Sequence, residues 1–352
     1  MNYFFQVFSK TLGFLLAIIF LIVLISLSLF IFGENKQKYF SYLEGNKDST
    51  EIIAILNLNG PIISEPPNFN NYNIFQNLEV IYPSLIKEYL KELEQNNTKG
   101  LIISINSPGG GVSATQKIYK LIKDFKEKND IPIFFHTKDI MTSGSYWVAL
   151  SGDKIFADYG SIIGSIGVRG PNWLYYNSPT SFSEGFFGKS VESQNGLKLF
   201  SNTAGMYKDI FNPFREPTKE EIIKLQFMVD DIYEHFVNLV SLNRKIESKI
   251  ITDEIGAMVF NSKRAKLNYL IDDEKNIEEI VELISKKLNL VNEKILINKY
   301  SDNYSLFNLN YFNFFNNKIT NNDLKIMINE KFCNNYYNEF SSIAQNYISI
   351  NC

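Results

Sequence analysis

The segment LIISINSPGGG, residues 101–111, decides the fold, because it joins a short apolar run through Asn-Ser-Pro to three glycines. An uninterrupted apolar run of this length, rich in isoleucine, is typical of a strand that is buried on both faces. Comparable apolar runs and amphipathic helical patterns alternate along the chain, at 52–58, 83–95, 113–128, 131–135 and 154–157. This alternation predicts an α/β protein with a mostly parallel sheet covered by helices.

Two turns of the predicted sheet carry candidate functional groups. Gly109, Gly110 and Gly111 have no side chains, so their backbone N–H groups can approach a substrate carbonyl closely. The strand at 131–135 leads to TSGSYWVA, residues 142–149, where Ser143 opens a helix. Ligands of such sheets bind at the carboxyl ends of the strands, so the two turns are predicted to meet. A serine beside free N–H groups is typical of acyl transfer. The alternatives are structural: Ser143 as a helix N-cap and the glycines as a tight turn.

A nucleophilic serine needs a base, which is usually a histidine, and the chain has only 2 histidines. His136 ends a predicted strand and His235 lies in the middle of a predicted helix, so both are interpreted as structural residues. A lysine is the remaining candidate, and it accepts a proton only when it is neutral. An apolar pocket or a nearby cation favours the neutral form.

Composition excludes several classes of function. The net charge is -3 and the chain has no long basic run, so nucleic acid is not a predicted partner. The 2 cysteines, Cys333 and Cys352, allow one late bridge but make neither a disulfide framework nor a metal site. No metal and no organic cofactor is predicted.

The N-terminus is apolar enough to cross a membrane. Residues 12–32 are apolar except for one glycine and two serines, and about 20 such residues span a bilayer as a helix. A cleaved signal peptide is the alternative, although its apolar core is usually only about 7–15 residues long. The predicted organisation is a membrane anchor at 1–33, a tether at 34–50, a globular domain at 51–290 and a tail rich in Asn and aromatic residues at 291–352.

Four motifs in series resemble a known family. They are NSPGGG at 106–111, TSG at 142–144 followed by two aromatic residues, GSIGV at 164–168 and GMYKDIFNPF at 205–214. In this order they resemble the signal peptide peptidase A family, the S49 serine peptidases, over residues 51–290. The resemblance implies a Clp protease/crotonase-like fold.

The resemblance also implies roles for individual residues. Ser143 would be the nucleophile, Lys208 the general base and Ser165 the residue that orients the lysine. The N–H groups of Gly110 and Gly144 would form the oxyanion hole, within a substrate-binding turn completed by Gly109 and Gly111. Tyr207, Phe211 and Phe214 would give Lys208 apolar surroundings. The alternatives are Lys189 or Lys198 as the base and Ser165 as an ordinary turn residue.

Two positions depart from the family pattern. Ser145 and Asn268 stand where family members commonly have glycine. Ser145 is expected to narrow or alter the pocket floor beside the nucleophile, whereas Asn268 is expected to lie far from the chemistry.

The function implied is that of a membrane-anchored serine endopeptidase that cleaves apolar peptides such as signal-peptide remnants. The same resemblance implies a single-pass protein of the bacterial cell (inner or plasma) membrane, with its catalytic domain on the non-cytoplasmic side. It further implies a homo-oligomer whose active sites are shared between subunits. Three rivals remain: a non-catalytic scaffold with the same fold, a crotonase-like acyl-thioester enzyme, and a type I signal peptidase, whose mainly β structure disagrees with the strand–helix alternation.

Overall fold

The computed structural model describes residues 2–32, 38–65, 79–173, 175 and 202–298. It divides into two compact units, Met1–Tyr39 and Phe40–Cys352. The first unit contains helix α1 (Asn2–Phe32), whose segment Phe5–Leu24 has a mean hydropathy of 2.5 and is long enough to cross a membrane. This segment overlaps the span expected at 12–32. Because a signal sequence has the same properties, membrane anchoring stays a prediction.

The second unit alternates strands and helices, as expected. Its elements are β1 (Phe40–Gly45), β2 (Ile52–Asn59), α2 (Pro83–Gln95), β3 (Thr98–Asn106), α3 (Val112–Asn129), β4 (Ile133–Thr137), β5 (Ile140–Thr142), α4 (Gly144–Ala149), β6 (Lys154–Ala157), β7 (Ile162–Gly164), α5 (Lys219–Arg244), α6 (Ser248–Ile250), a π-helical turn (Ile251–Ile255), β8 (Val259–Asn261), α7 (Ser262–Leu267), β9 (Asp273–Glu274), α8 (Ile277–Leu288) and β10 (Lys294–Asn298).

The main sheet has the order β1-β10-β2-β3-β4-β6-β9. Neighbouring strands run parallel throughout, except that β1 is antiparallel to β10. Its apolar side chains form a core with α8, which contributes Ile280 and Ile284 against Ile102 and Phe134. The parallel α/β sheet predicted from the continuous apolar strands is therefore confirmed.

The carboxyl ends of the central strands are tied together by Asn106. Strands β2 and β3 pair to their last residues, Asn59 and Asn106. The side-chain oxygen of Asn106 accepts hydrogen bonds from the Thr137 hydroxyl and from the next two backbone N–H groups, each at 3.0 Å. These three donors lie at the end of β4 and just after it. The Asn106 amide therefore fixes the end of β3, where the glycine turn begins, against the chain that leads from β4 to Ser143.

Two strands of a second sheet, β5-β7-β8, lead directly to Ser143 and Ser165. Strand β5 runs parallel to β7, and Thr142 is opposite Gly164 at their shared end. Ser143 and Ser165 are the next residues after these two, so the register places them side by side. Two motifs that are about 20 residues apart in the sequence therefore meet at one end of a short sheet.

Strands of the main sheet lie outside the expected domain bounds of 51–290 at both ends. Strand β1 lies in the expected tether, and β10 lies in the expected tail, where it pairs with both β1 and β2. Strand β1 is an edge strand with four exposed residues, so it lacks an apolar signal, and β10 is only five residues long. By contrast, the expected capping box is present: the Thr218 hydroxyl accepts from the Glu221 N–H at the start of α5.

Helix α4 is anchored from behind by the hydroxyl of Tyr146. This side chain is 0% exposed, and its hydroxyl donates to the Leu270 carbonyl at 2.8 Å. Burial raises the pKa of the Tyr146 phenol above its ordinary range, so the hydroxyl keeps its proton. The contact fixes the helix that Ser143 precedes.

Replacing Tyr146 with Phe is therefore expected to lower the free energy of unfolding by about 1–2 kcal/mol, because the buried Leu270 carbonyl loses its donor. Tyr42→Phe is a matched control, since that hydroxyl also donates to a carbonyl at 2.8 Å but the side chain is 42% exposed. Urea unfolding of the detergent-solubilised chain measures both. Equal losses in the two variants would show that the Tyr146 bond has no special structural role.

Candidate active site

Ser143 adopts an unusual backbone conformation between β5 and α4. Its φ is 54° and its ψ is -124°, which is rare for a residue with a side chain. The backbone N–H of Ser143 donates to the Gly164 carbonyl at 2.9 Å, which holds the turn in place. Although Ser143 occupies the N-cap position of α4, its side chain makes no capping hydrogen bond. The structure thus gives no support to helix capping as the role of this hydroxyl.

The glycine turn lies directly against Ser143 and Gly144. A Cβ atom on Gly109 would lie 2.6 Å from the Gly144 nitrogen and 2.9 Å from the Ser143 Cβ. A Cβ on Gly110 would lie 1.9 Å from the Ile62 carbonyl oxygen. Side chains therefore cannot be accommodated at these two positions without moving the backbone of one turn or the other.

Two backbone donors at this contact are free. The N–H groups of Gly110 and Gly144 donate no hydrogen bond to any residue that the structure describes. Their neighbours are fixed: the Ile62 N–H donates to the Gly109 carbonyl at 2.8 Å, and the Gly111 N–H donates to the Ile62 carbonyl at 3.0 Å. Since a Cβ on Gly144 would lie 3.2 Å from the Gly110 nitrogen, the free groups are close neighbours. Paired free N–H groups of this kind can stabilise an oxyanion.

Ser145 does not narrow the site, contrary to the expectation from sequence. It is fully buried, and its hydroxyl lies 2.6 Å from the Ser107 carbonyl oxygen and 2.7 Å from the Thr142 carbonyl oxygen. It is not among the residues that line the groove beside Ser143. The Ser145 side chain instead links Ser107, just before the glycine turn, to Thr142, the residue before Ser143. A glycine at position 145 could not make these contacts.

An open groove of about 910 Å³ runs over these turns. Of the residues expected in the site, it is lined by Ser143, Gly144, Gly110, Gly111 and Ser165. Most of the other side chains on its walls are apolar or aromatic, among them Val112, Ile140, Trp147, Ile162, Ile166, Val168, Val229, Tyr233, Phe236 and Val259. Charged groups are few, with Arg169 and Asp230 as examples. A mainly apolar concave surface with a few polar groups is typical of a ligand site.

Helix α5 forms one wall of this groove. The sequence did not predict this role for the helix. Val229, Tyr233 and Phe236 of α5 line it, and the Phe236 ring stacks on Trp147 of α4 at a centroid distance of 4.8 Å. The apolar pattern of α5 predicted a helix with a buried face. It carried no signal for which partner that face would contact.

Ser165 is held next to the turn that contains Ser143. Its φ is 54°, and its N–H donates to the Met258 carbonyl at 2.8 Å. The residue lines the groove, as Ser143 does. This placement is compatible with orienting a base. The structure shows no hydrogen bond between Ser165 and a lysine in the part of the chain it describes.

Lys208 lies apart from these groups within the single chain. It is exposed, and it is not among the residues that line the groove. The expected apolar surroundings are also different: the Tyr207 hydroxyl bonds to Glu220, and the Phe211 ring packs beside Trp173 at 5.3 Å. Lys189 and Lys198, the rival bases, lie outside the described residues.

The Lys208 segment is organised by an arginine and two carboxylates. Arg215 contacts Asp209 at 2.8 Å and Glu221 at 2.7 Å. These bonds, with those from Thr218, lower the pKa of the Glu221 carboxyl to about 2. The fold of this segment therefore rests on Arg215 and leaves the Lys208 amine at the surface.

The histidines do not reach the groove. His136 is buried, with its Nε2 atom 3.2 Å from an Asp158 carboxylate oxygen and its Nδ1 atom 3.5 Å from the Ser104 hydroxyl. Burial lowers its pKa, so the ring stays neutral. The exposed His235 ring lies 5.3 Å from Trp147. Neither histidine lines the groove, which agrees with the structural roles expected for both.

No group of three or more His, Cys, Asp or Glu side chains that could hold a metal ion occurs among the described residues. Cys333 and Cys352 lie outside them.

Comparison with known proteins adds family evidence. The family model described as Peptidase family S49 matches residues 125–291. A protein of Methanocaldococcus jannaschii named as a putative protease is 30% identical over 224 residues, covering 63% of this chain and 67% of that protein. A protein of Enterococcus faecium named as a putative signal peptide peptidase is 26% identical over 265 residues, covering 75% and 71% of the two chains. A solved structure of a membrane-bound stomatin-specific protease is 16% identical, with a TM-score of 0.41 and coverage of 72% and 94%.

The close packing of the glycine turn predicts that an alanine substitution is tolerated at Gly111 but not at Gly110. Gly110→Ala is expected to lower the unfolding temperature and to slow labelling of Ser143 by a fluorophosphonate, because its Cβ would collide with the Ile62 carbonyl at 1.9 Å. Alanine keeps the backbone N–H, but the collision would displace it, and loss of one oxyanion donor costs about 10²–10³ in rate. Gly111→Ala is the folding control, since a Cβ there meets nothing within 4 Å. Equal unfolding temperatures for the two variants would disprove the packing argument.

Proposed function

The chain belongs to peptidase family S49, and on that premise we propose that it is a membrane-anchored serine endopeptidase that uses a Ser143/Lys208 dyad to cleave apolar peptides. The observation that carries the proposal is the meeting of Ser143 with two free backbone N–H groups in one groove. This arrangement supplies a nucleophile and an oxyanion site, and acyl transfer needs both.

The reaction follows from these groups. The Ser143 hydroxyl attacks the scissile carbonyl, its proton passes to the neutral amine of Lys208, and the carbonyl oxygen becomes an oxyanion between the N–H groups of Gly110 and Gly144. The lysine then returns the proton to the departing amine as the peptide bond breaks, leaving an acyl-enzyme on Ser143. Water attacks this ester with the same lysine as base, which releases the acid product and restores the serine.

The position of Lys208 bears on which subunit supplies the base to each groove. Because the amine is exposed and does not line the groove of its own chain, the proposal is that Lys208 enters the groove of a neighbouring subunit. Desolvation by the groove's apolar walls would favour its neutral form. Ser165, beside Ser143 on the groove wall, is proposed to hydrogen-bond the incoming amine and aim it at the nucleophile.

The proposed substrates are apolar peptides near a membrane, such as signal-peptide remnants. The largely apolar groove supports this class, since side chains such as Ile162 and Val259 would contact the substrate directly. The Phe5–Leu24 segment would hold the enzyme where such peptides concentrate. The name of the Enterococcus faecium relative points the same way. The proposed location is the bacterial cell membrane, with the catalytic unit on the non-cytoplasmic side.

A complementation assay tests both the dyad and its sharing. Ser143→Ala and Lys208→Ala are each expected to abolish hydrolysis of apolar peptides by the detergent-solubilised chain. If each site takes its serine and lysine from adjacent subunits of a ring, co-expression in equal amounts restores about a quarter of the wild-type activity, because about one site in four then has both groups. A dyad within one chain would give no recovery.

Lys219→Ala is the control for loss of an exposed lysine, and it is expected to keep wild-type activity. The proposed base is excluded if Lys208→Ala is also fully active. A wild-type chain that neither hydrolyses peptides nor reacts with a fluorophosphonate at Ser143 would instead indicate a non-catalytic scaffold.

A further inference from the structure

Thr115 has a hydroxyl that the fold leaves without a hydrogen bond. The residue lies in the first turn of α3 and is 1% exposed. Among the described residues, its Oγ1 is the only buried side-chain oxygen or nitrogen without a hydrogen-bond partner. The backbone N–H of Thr115 donates normally to the Gly111 carbonyl at 3.0 Å. A helical threonine commonly bonds its hydroxyl to a carbonyl of the preceding turn, but here it does not.

The hydroxyl lies against the oxyanion site. A Cβ on Gly144 would lie 2.5 Å from Thr115 Oγ1 and 3.2 Å from the Gly110 nitrogen. The same side of Gly144 therefore faces both the threonine oxygen and one of the two free N–H groups. Thr115 is also among the residues that line the groove. Three donor groups are thus close neighbours, and none of them has an acceptor within the described chain.

A buried hydroxyl without a partner destabilises the folded state, whereas valine has nearly the same shape and no polar atom to satisfy. The described chain offers this hydroxyl no acceptor, and a substrate carbonyl oxygen that becomes an oxyanion would supply one. An interaction that is made only in the transition state raises the rate of the chemical step without tightening substrate binding.

On the basis of the proposed peptidase function, we propose that the Thr115 hydroxyl is a third hydrogen-bond donor to the oxyanion, beside the N–H groups of Gly110 and Gly144. The hydroxyl keeps its proton throughout and forms no covalent bond. Its contribution is electrostatic, and it is greatest when the negative charge on the substrate oxygen is fully developed.

The test replaces Thr115 with Val in the full-length, detergent-solubilised chain. The expected result is a fall in kcat of about tenfold, less than the 10²–10³ expected for a primary donor, with KM unchanged. The unfolding temperature is expected to stay the same or to rise, since an unsatisfied buried group is removed. Thr115→Ser, which keeps the hydroxyl, is expected to restore most of kcat.

Thr98 provides a matched control, for which a valine substitution is expected to affect stability and not the rate. It is also a buried threonine, but its hydroxyl donates to the Leu93 carbonyl at 2.9 Å, and it lies at the start of β3 whereas the glycine turn follows the end of that strand. Thr98→Val is expected to lower the unfolding temperature and to leave kcat unchanged. A purely structural role for Thr115 predicts this same pattern for Thr115→Val.

Inhibition by a peptide boronic acid separates oxyanion binding from packing. The boronate forms a tetrahedral adduct with Ser143, so its inhibition constant is expected to rise in Thr115→Val by the same factor as kcat falls. Binding of a peptide substrate to Ser143→Ala is expected to be unaffected by adding Thr115→Val. Wild-type kcat in Thr115→Val, or failure of Thr115→Ser to restore activity, would overturn the inference while leaving the dyad intact. Absence of activity in the wild type would overturn the proposed function itself.

Discussion

The site depends on one steric constraint, which is that two backbone turns pass too close together for side chains. The turn at Gly109 and Gly110 lies against Ser143 and Gly144, with the Ile62 carbonyl on its other side. Because no Cβ separates them, backbone N–H groups from two distant parts of the sequence become neighbours. The proposed acyl-transfer chemistry depends on this approach, since the backbone brings Ser143 and the two free N–H groups together.

Several side-chain hydrogen bonds maintain that approach. Asn106 ties the ends of β3 and β4, and Ser145 links the carbonyl of Ser107 to that of Thr142. Tyr146 fixes α4 from behind through Leu270. These side chains do not line the groove, yet each connects one of the two turns to a rigid element. A catalytic geometry built on backbone needs this kind of support, because a small displacement would separate the donors.

The sequence predicted the parts of the structure that depend on local pattern. Continuous apolar runs gave the parallel strands, Thr218 and Glu221 gave the start of α5, and the glycines gave the close turn. It could not predict which face of α5 would contact the groove, because apolar periodicity records burial and not the partner. The edge strand β1 and its neighbour β10 were missed for a related reason: an exposed or very short strand has almost no periodic signal.

The surroundings of individual side chains were harder to predict from the sequence than the strands and helices. The aromatic residues around Lys208 suggested an apolar pocket, but Tyr207 contacts Glu220 and Phe211 contacts Trp173. Arg215 contacts the carboxylates of Asp209 and Glu221. Long-range partners of this kind depend on the folded backbone, so a linear motif identifies the candidate residues and not their contacts.

Backbone strain gives an independent reason to examine the two proposed catalytic segments for function. Nine residues other than glycine have positive φ in the described chain: Asn97, Asp130, Ser143, Ser165, Tyr207, Phe211, Lys245, Tyr269 and Asn289. Five of them end helices, at or directly after the C-cap positions of α2, α3, α5, α7 and α8, where the left-handed conformation is the ordinary way to terminate a helix.

The remaining four have no such explanation, and they fall in only two places. Ser143 and Ser165 lie side by side on the groove, while Tyr207 and Phe211 flank Lys208. Each such residue costs about 1–3 kcal/mol unless its surroundings impose the conformation. Since selection for stability alone would remove that cost, its concentration around Ser143 and around Lys208 makes each segment a candidate for a functional role.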